Sequence, residues 1–296
     1  MAIEKRHDFI LYFEVENGNP NGDPDAGNMP RIDLQTSHGI VTDVCLKRKV
    51  RNYVQTAYGH EAGYDIFVTE GAILNNKMKQ TYEDYGLNPK QENARDLARD
   101  YMCKRFFDVR AFGAVMDTGD FKCGQVRGPA QFCFARSVNP IWQQEVTITR
   151  MAATSEKEAK AKEGDKDGGE DAARDATKNR TMGRKYVVPY ALYRMEGFLS
   201  PAFAGRTGFD RRDLDILWEA LLNMFEIDHS ASRGRMATRK LIVFEHESAL
   251  GNAPSYELFD LVQAACQCQG RPPRSFGDYA ITLKEPPQGV TLRVLR

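Results

Sequence analysis

The sequence predicts an α+β domain, and three observations carry that prediction. A dense aromatic and branched run opens the chain at 7–16 (HDFILYFEVE). Two segments with helical apolar spacing follow, at 42–57 and 213–225. Strand-like runs fall between and after them without regular β-α-β alternation. The order strand, loop, helix, strands, hairpin, helix and strand is met most simply by a ferredoxin-like β-α-β-β-α-β sheet with insertions.

After the first strand, residues 17–28 (NGNPNGDPDAGN) form a cluster of turn formers, either a functional loop or a connector. The next helix has readable ends. Thr42 is its expected N-cap, Asp43 suits the positive end, and it should run to about Ala57 on Val44, Leu46, Val50, Val54 and Ala57. On this helix Lys47 and Arg51 lie one turn apart and are expected to form a basic ridge, with Arg48 beside it. Residues 59–110 look mixed: a short strand near 64–68, a helix from about 91 to 107, then a strand or strand end at 108–115 (DVRAFGAV). Strands are expected at 131–138 and 145–150, with Phe132 and Phe134 as core residues. Residues 155–180 contain no aromatic or large aliphatic side chain. Such a segment cannot offset its ordering entropy and should be an insertion or hairpin tip, carried between strands at 145–150 and 184–194. The best helix is 213–225 (DLDILWEALLNMF), followed by a basic loop at 230–235, a strand at 240–245, a helix near 256–267 and a final strand.

Hydrophobic residues at 42% can bury a core, while 28% charged residues leave a highly charged surface. With 41 basic and 41 acidic residues the net charge is zero, which argues against a freely acting nucleic-acid binder. Local clusters at Lys47, Arg48, Lys49 and Arg51, and at Arg233, Arg235, Arg239 and Lys240, keep a phosphate-tracking surface open. Six cysteines without a secretory signal, and no run near the ~20 apolar residues of a membrane span, read as a cytoplasmic chain with reduced thiols and no membrane contact. The pair Cys266 and Cys268 lacks zinc-ligand spacing.

The loop at 17–28 superficially matches a calcium loop through Asn17, Asn19, Asn21 and Gly22. Asn28, however, stands where a bidentate Glu is needed, so no metal is expected. The same loop precedes Arg31 and the basic helix, and the Gly-flanked Arg233 and Arg235 precede a strand. Such amides and guanidinium forks would bind a backbone without reading bases. Residues 127–134 (RGPAQFCF) only faintly follow the aromatic strand of RNA-recognition motifs, because Pro129 and Gln131 stand where aromatics belong. No Walker loop, dinucleotide fingerprint or HExxH occurs. Of five scattered histidines only His38 could be considered as a general base, with a surface histidine the simpler reading.

At this point a family is recognisable. The run 9–53, with FILYFEVENGNPNGDPDAGNMPRID and then TDVCLKRKVR at 42–51, resembles the start of the CRISPR-associated RAMP superfamily. Within it the likeness is to the guide-RNA backbone subunit of type I Cascade complexes, in its I-C form. DVRAFGAV at 108–115, GPAQF at 128–132 and VVPYALYR at 187–194 extend it. The resemblance implies an RRM-like palm with inserted finger-like and thumb-like parts, at about 59–110 and 145–190. It also implies several copies aligned on one CRISPR RNA, without catalysis or cofactor, alongside other Cascade subunits and target DNA paired to the guide. Carried over by position, Thr42, Lys47, Arg48 and Arg51 would hold phosphates, and Asn17, Asn19, Asn21 and Arg31 would line the same groove. The alternatives are a RAMP endoribonuclease processing CRISPR precursor RNA and a pure protein scaffold.

Overall fold

A computed structural model describes residues 1–150 and 181–296. In chain order its strands are β1 (His7–Gly18), β2 (Gly22–Asp23), β3 (Met29–Pro30), β4 (His38–Val41), β5 (Gly113–Met116), β6 (Gly124–Arg127) and β7 (Ala130–Phe132). Then follow β8 (Ala135–Pro140), β9 (Gln144–Arg150), β10 (Thr181–Leu199), β11 (Arg235–His246), β12 (Val262–Cys266), β13 (Tyr279–Leu283) and β14 (Val290–Val294). The helices are α1 (Asp43–Tyr58), α2 (Leu74–Asp84), α3 (Ala94–Arg105), α4 (Phe107–Phe112), α5 (Pro201–Thr207), α6 (Arg211–Asn223) and α7 (Ser255–Asp260). The mixed α and β content predicted from the sequence is present, around one antiparallel sheet.

That sheet runs β14-β11-β1-β10-β8-β4, with β7 and β9 also paired to β10. β1 lies between β10 and β11, and every residue from His7 to Val15 is buried. A strand covered on both faces needs no polar alternation, which explains its unbroken apolar run. On one face Phe9, Leu11, Phe13 and Val15 meet Leu46, Val50 and Val54 of α1 and Leu214, Leu217 and Leu221 of α6. Trp218 packs edge-on against Phe9 at 5.1 Å, and Phe13 stacks on Tyr193 at 5.3 Å. On the other face Ile10 and Tyr12 pack with Leu258, Phe259, Val262 and Tyr279 of a cap made by α7, β12 and β13. A separate core of Phe67, Met78, Tyr82, Met102 and Phe106 holds the segment between α1 and β6 together.

α1 starts where expected: the Thr42 hydroxyl accepts from the Cys45 N–H at 3.3 Å. It docks on α6 through one carboxylate, since the hydroxyls of Tyr53 and Tyr58 donate to the two oxygens of Glu219, each at 2.6 Å.

Four expectations need correction. The residues at 107–112 are helical, not extended, because all six are buried and two carry charges that need partners inside. Asp108 accepts from Arg51 Nε at 2.7 Å and from the Phe67 and Val68 amides at 2.7 and 3.1 Å. Arg110 forks onto Asp213 with two bonds of 2.8 Å. Residues 64–68 form no strand beyond a single bridge from Asp65 to Phe106, while α2 went unforeseen because only Leu74, Met78 and Tyr82 mark its inner face. The C-terminal helix stops at Asp260, and 262–266 becomes a strand alternating in burial against β13. The 131–138 strand breaks at Cys133 and Phe134, and Phe134 is 55% exposed rather than in the core. The polar segment 155–180 lies outside the described residues.

Arg51 and Asp108 form a buried pair, so removing either partner strands a charge. Arg51→Ala is expected to cost about 3–5 kcal/mol in denaturant unfolding; a loss near zero would mean the site is wet. Both tyrosines are raised to about 12, Tyr53 chiefly by burial and then by its hydrogen bond to Glu219, Tyr58 chiefly by its hydrogen bond to Glu219 and then by burial. Their neutral forms therefore stabilise the fold fully below pH ~10, and that contribution is lost as pH rises through about 12. Ultraviolet titration should find Tyr53 and Tyr58 among the late tyrosines of the native protein, and Glu219→Ala should move both toward the ordinary tyrosine value.

Candidate functional site

β1 leaves the sheet at Gly18, and its exit meets the loop before β11 backbone to backbone. A Cβ on Gly18 would lie 1.8 Å from the Arg233 carbonyl oxygen, and one on Gly234 would lie 2.4 Å from that of Asn17. Asn17 itself has a left-handed φ of 51°, a conformation that asparagine tolerates better than most residues. The Asn19 N–H donates to Ser232 O at 2.8 Å, and its buried side chain donates to Asn28 O at 2.8 Å. Asn19 Oδ1 has no partner among the described residues.

The loop is then tied to the start of α1. Asn21 Oδ1 accepts from both the N–H and the hydroxyl of Thr42, each at 3.0 Å. Arg31 is partly exposed and pairs with Asp23 at 3.4 Å. From the opposite side Arg233 donates to the carbonyls of Asn19 and Pro20 at 3.3 and 3.1 Å, and lies 3.6 Å from Asp228. Arg235 pairs with Glu16 and remains 68% exposed. Thus Asn17, Asn19, Asn21, Arg31, Thr42, Arg233 and Arg235 are brought together around the exit of β1.

Lys47, Arg48 and Arg51 turn toward the inserted segment instead. Lys47 pairs with Asp43 at 3.0 Å and sits 5.7 Å over the rings of Phe112 and Phe132. Arg48 donates to Val68 O at 2.6 Å. The expected exposed ridge therefore fails at Arg51, which is buried on Asp108 because α4 covers that flank of α1. Sequence reasoning also missed Lys49, which is buried, pairs with Asp228 and lies 5.7 Å over Phe225. Burial pulls its ammonium down to about 8. The signal was available: Lys49 lies three residues after Leu46 and so falls on the buried stripe. Lys185 of β10 was missed as well, and its ammonium donates to Ala231 O at 2.6 Å beside the same loop.

The cluster thus presents amide and guanidinium donors on a framework of hydrogen bonds, a chemistry suited to an anionic backbone. His38, on β4 opposite Pro140, makes no side-chain hydrogen bond among the described residues. Also among the described residues, no group of three His, Cys, Asp or Glu could hold a metal ion, and no helix is long and apolar enough to cross a membrane.

The comparisons agree with the family resemblance. A curated protein from Haloferax volcanii, "CRISPR-associated protein Cas7", is 27% identical over 177 residues, covering 53% of this chain. The match spans about half of that relative's length, 50%. A solved structure described as "CRISPR RNA-guided surveillance complex, pre-nicking" contains a chain with TM-score 0.51 at 11% identity, covering 84% of this chain and 79% of its own, a likeness of fold. Another, "CRISPR RNA-guided surveillance complex", aligns with TM-score 0.48 at 15% identity, over 84% and 71% of the two chains. The family model for CRISPR-associated protein Cas7 matches residues 5–284, nearly the whole sequence, and the chain belongs to that family.

Proposed function

We propose that this chain binds CRISPR RNA as a non-catalytic backbone subunit of a type I surveillance complex, of the I-C form. In that reading several copies lie side by side on one guide, beside other subunits, and target DNA is recognised by pairing to the guide. The observation that carries it is the convergence of the polar β1 exit, the α1 cap and the basic loop before β11 in a Cas7-family chain. The donors that reach the RNA are Arg31, Arg233 and Arg235, with Asn17 at the rim. Asn19, Asn21 and Thr42 hold the loop in place, and Arg51 serves the fold.

The strand order β11-β1-β10-β8, with α1 and α6 on one face, supports a ferredoxin-like palm. The separate core around Met78 and Met102 supports a finger-like insertion. The antiparallel pairing of β9 with the far half of β10 supports a thumb-like element.

Binding of single-stranded RNA by the whole chain, measured across a salt series, tests the proposal. Replacing Arg233 and Arg235 by Ala should weaken binding and flatten the dependence of log K on log salt by about 0.7 for each phosphate no longer neutralised. An unchanged slope would show that these cations merely serve the fold. RNA cleavage by the wild type that disappears in His38→Ala would replace the backbone reading with an endoribonuclease.

A further inference from the structure

Two of the six cysteines stand two residues apart at the edge of the cap. Cys266 closes β12 opposite Tyr279 of β13, and Cys268 follows after one residue. The pairing runs one step past the strand, because the Gln267 N–H donates to Asp278 O at 2.9 Å. Burial alternates through this stretch: Gln263, Ala265 and Gln267 are exposed, Ala264 and Cys266 are half-buried, and Cys268 is 5% exposed. Both thiols therefore project from the inner side of one extended segment, and they are hydrogen-bonded to each other. Immediately beyond them the chain reverses. Gln269 and Gly270 have left-handed φ values of 46° and 89°, and the Arg271 N–H donates to Cys268 O at 3.1 Å. Cys103 and Cys123, by contrast, sit in the finger-like core, where burial pushes them up to about 11 and about 12 and keeps them inert.

We propose that Cys266 and Cys268 are a modification site, a dithiol that exchanges with low-molecular-weight disulfides to close a bridge within the chain. Residues two apart on a strand have Cα atoms about 6.5 Å apart, inside the range of about 4.4–6.8 Å that a disulfide spans. That distance is near the upper limit, so the bridge bends the end of the segment and is readily reduced again. The turn at 268–271 gives the bend room, because β12 has already ended. Cys266, the more exposed of the two, reacts first. Its thiolate attacks one sulfur of the small disulfide, the sulfur–sulfur bond breaks, and one small thiolate leaves. Cys268 then loses its proton and attacks the Cys266 sulfur, forming the new bond and expelling the second small thiolate. The two protons end on the released thiols, and the two electrons given up by the cysteines reduce the small disulfide. The hydrogen bond to Cys266, and then burial, push the Cys268 thiol up to about 11, which suits the later step. The bridge also reaches a basic loop. Cys268 Sγ lies 3.9 Å from the Asp278 carbonyl oxygen. The Asp278 carboxylate accepts from Arg271 at 2.9 Å and from the Arg274 and Ser275 N–H groups at 2.8 and 3.0 Å. Closing the pair therefore pulls on the residue that anchors Arg271 and Arg274.

Thiol mapping of the whole chain tests the proposal. Reduced protein is equilibrated with a series of oxidised-to-reduced glutathione ratios, quenched in acid, alkylated and mapped by mass spectrometry. In the wild type Cys266 and Cys268 should resist alkylation together, in a peptide lighter by two hydrogens, and excess reduced glutathione should restore both. Cys268→Ser should instead collect a mixed disulfide on Cys266. In Cys266→Ser the remaining Cys268 should react about tenfold more slowly than that, since the thiolate fraction falls faster than nucleophilicity rises. Hydrogen exchange at the Gln267 and Arg274 amides should quicken in the bridged form. Full alkylation of both cysteines at every ratio, a lasting mixed disulfide on Cys266 in the wild type, or reaction of Cys133 alone would overturn the site. The wild-type map decides this without any variant, and RNA binding at the β1 exit is not required for it.

Discussion

Burial of β1 on both faces is the constraint on which the rest of the molecule depends. A strand with no exposed side chain from His7 to Val15 cannot exist without a layer above and a layer below. α1 and α6 supply one layer, and the C-terminal cap supplies the other. Its two neighbours must be long and antiparallel to match it, as β10 and β11 are. The strand's end is held by the same packing, so the polar loop that follows emerges from between the two longest-paired neighbours, β10 and β11. Loops held in this way are where proteins place binding groups, because the scaffold bears the ordering cost.

Electrostatics reinforces that scaffold more than composition suggests. The balanced total of 41 basic and 41 acidic residues conceals how many cations face inward. The inserted segment is fastened to the palm by two such pairs from one short helix: Asp108 of α4 engages Arg51 of α1, and Arg110 engages Asp213 of α6. Asp228 serves two cations, Lys49 below it and Arg233 above. A carboxylate in that position couples the helix packing to the basic loop, and the loop cannot shift without disturbing a buried ammonium.

Much of this was legible. β1, α1 with its Thr42 cap, α6 and β11 follow from period and capping chemistry, since their apolar residues face a single large core. The helical turn at 107–112 was not legible, because Val109, Ala111 and Phe112 also fit an alternating strand, and only the tertiary partners of Asp108 and Arg110 decide between the two. The break at 133–134 is a one-residue shift of register against β10, with which both flanking strands pair, and no local pattern encodes it. Of the candidate site, the turn formers from Asn17 to Asn28 and the Gly-flanked arginines, far apart in sequence, meet at one corner of the fold. Arg51 pointed wrongly, since a basic residue beside an apolar stripe reads as exposed until the segment covering it is known.

β10 carries a mechanical consequence. Its nineteen residues extend about 60 Å at the usual rise per residue. One half, from Val188 to Leu199, is laced to β1; the other, from Thr181 to Val187, is laced to β9. The junction falls between Val187 and Val188, and Pro189 follows it directly, where the ring fixes φ and removes a rotatable joint. The strand is therefore a stiff lever rooted in the centre of the molecule. A load applied near Thr181 travels along one unbroken backbone into the hydrogen bonds of β1, and the ribbon answers by elastic bending and twist rather than by swinging on a hinge.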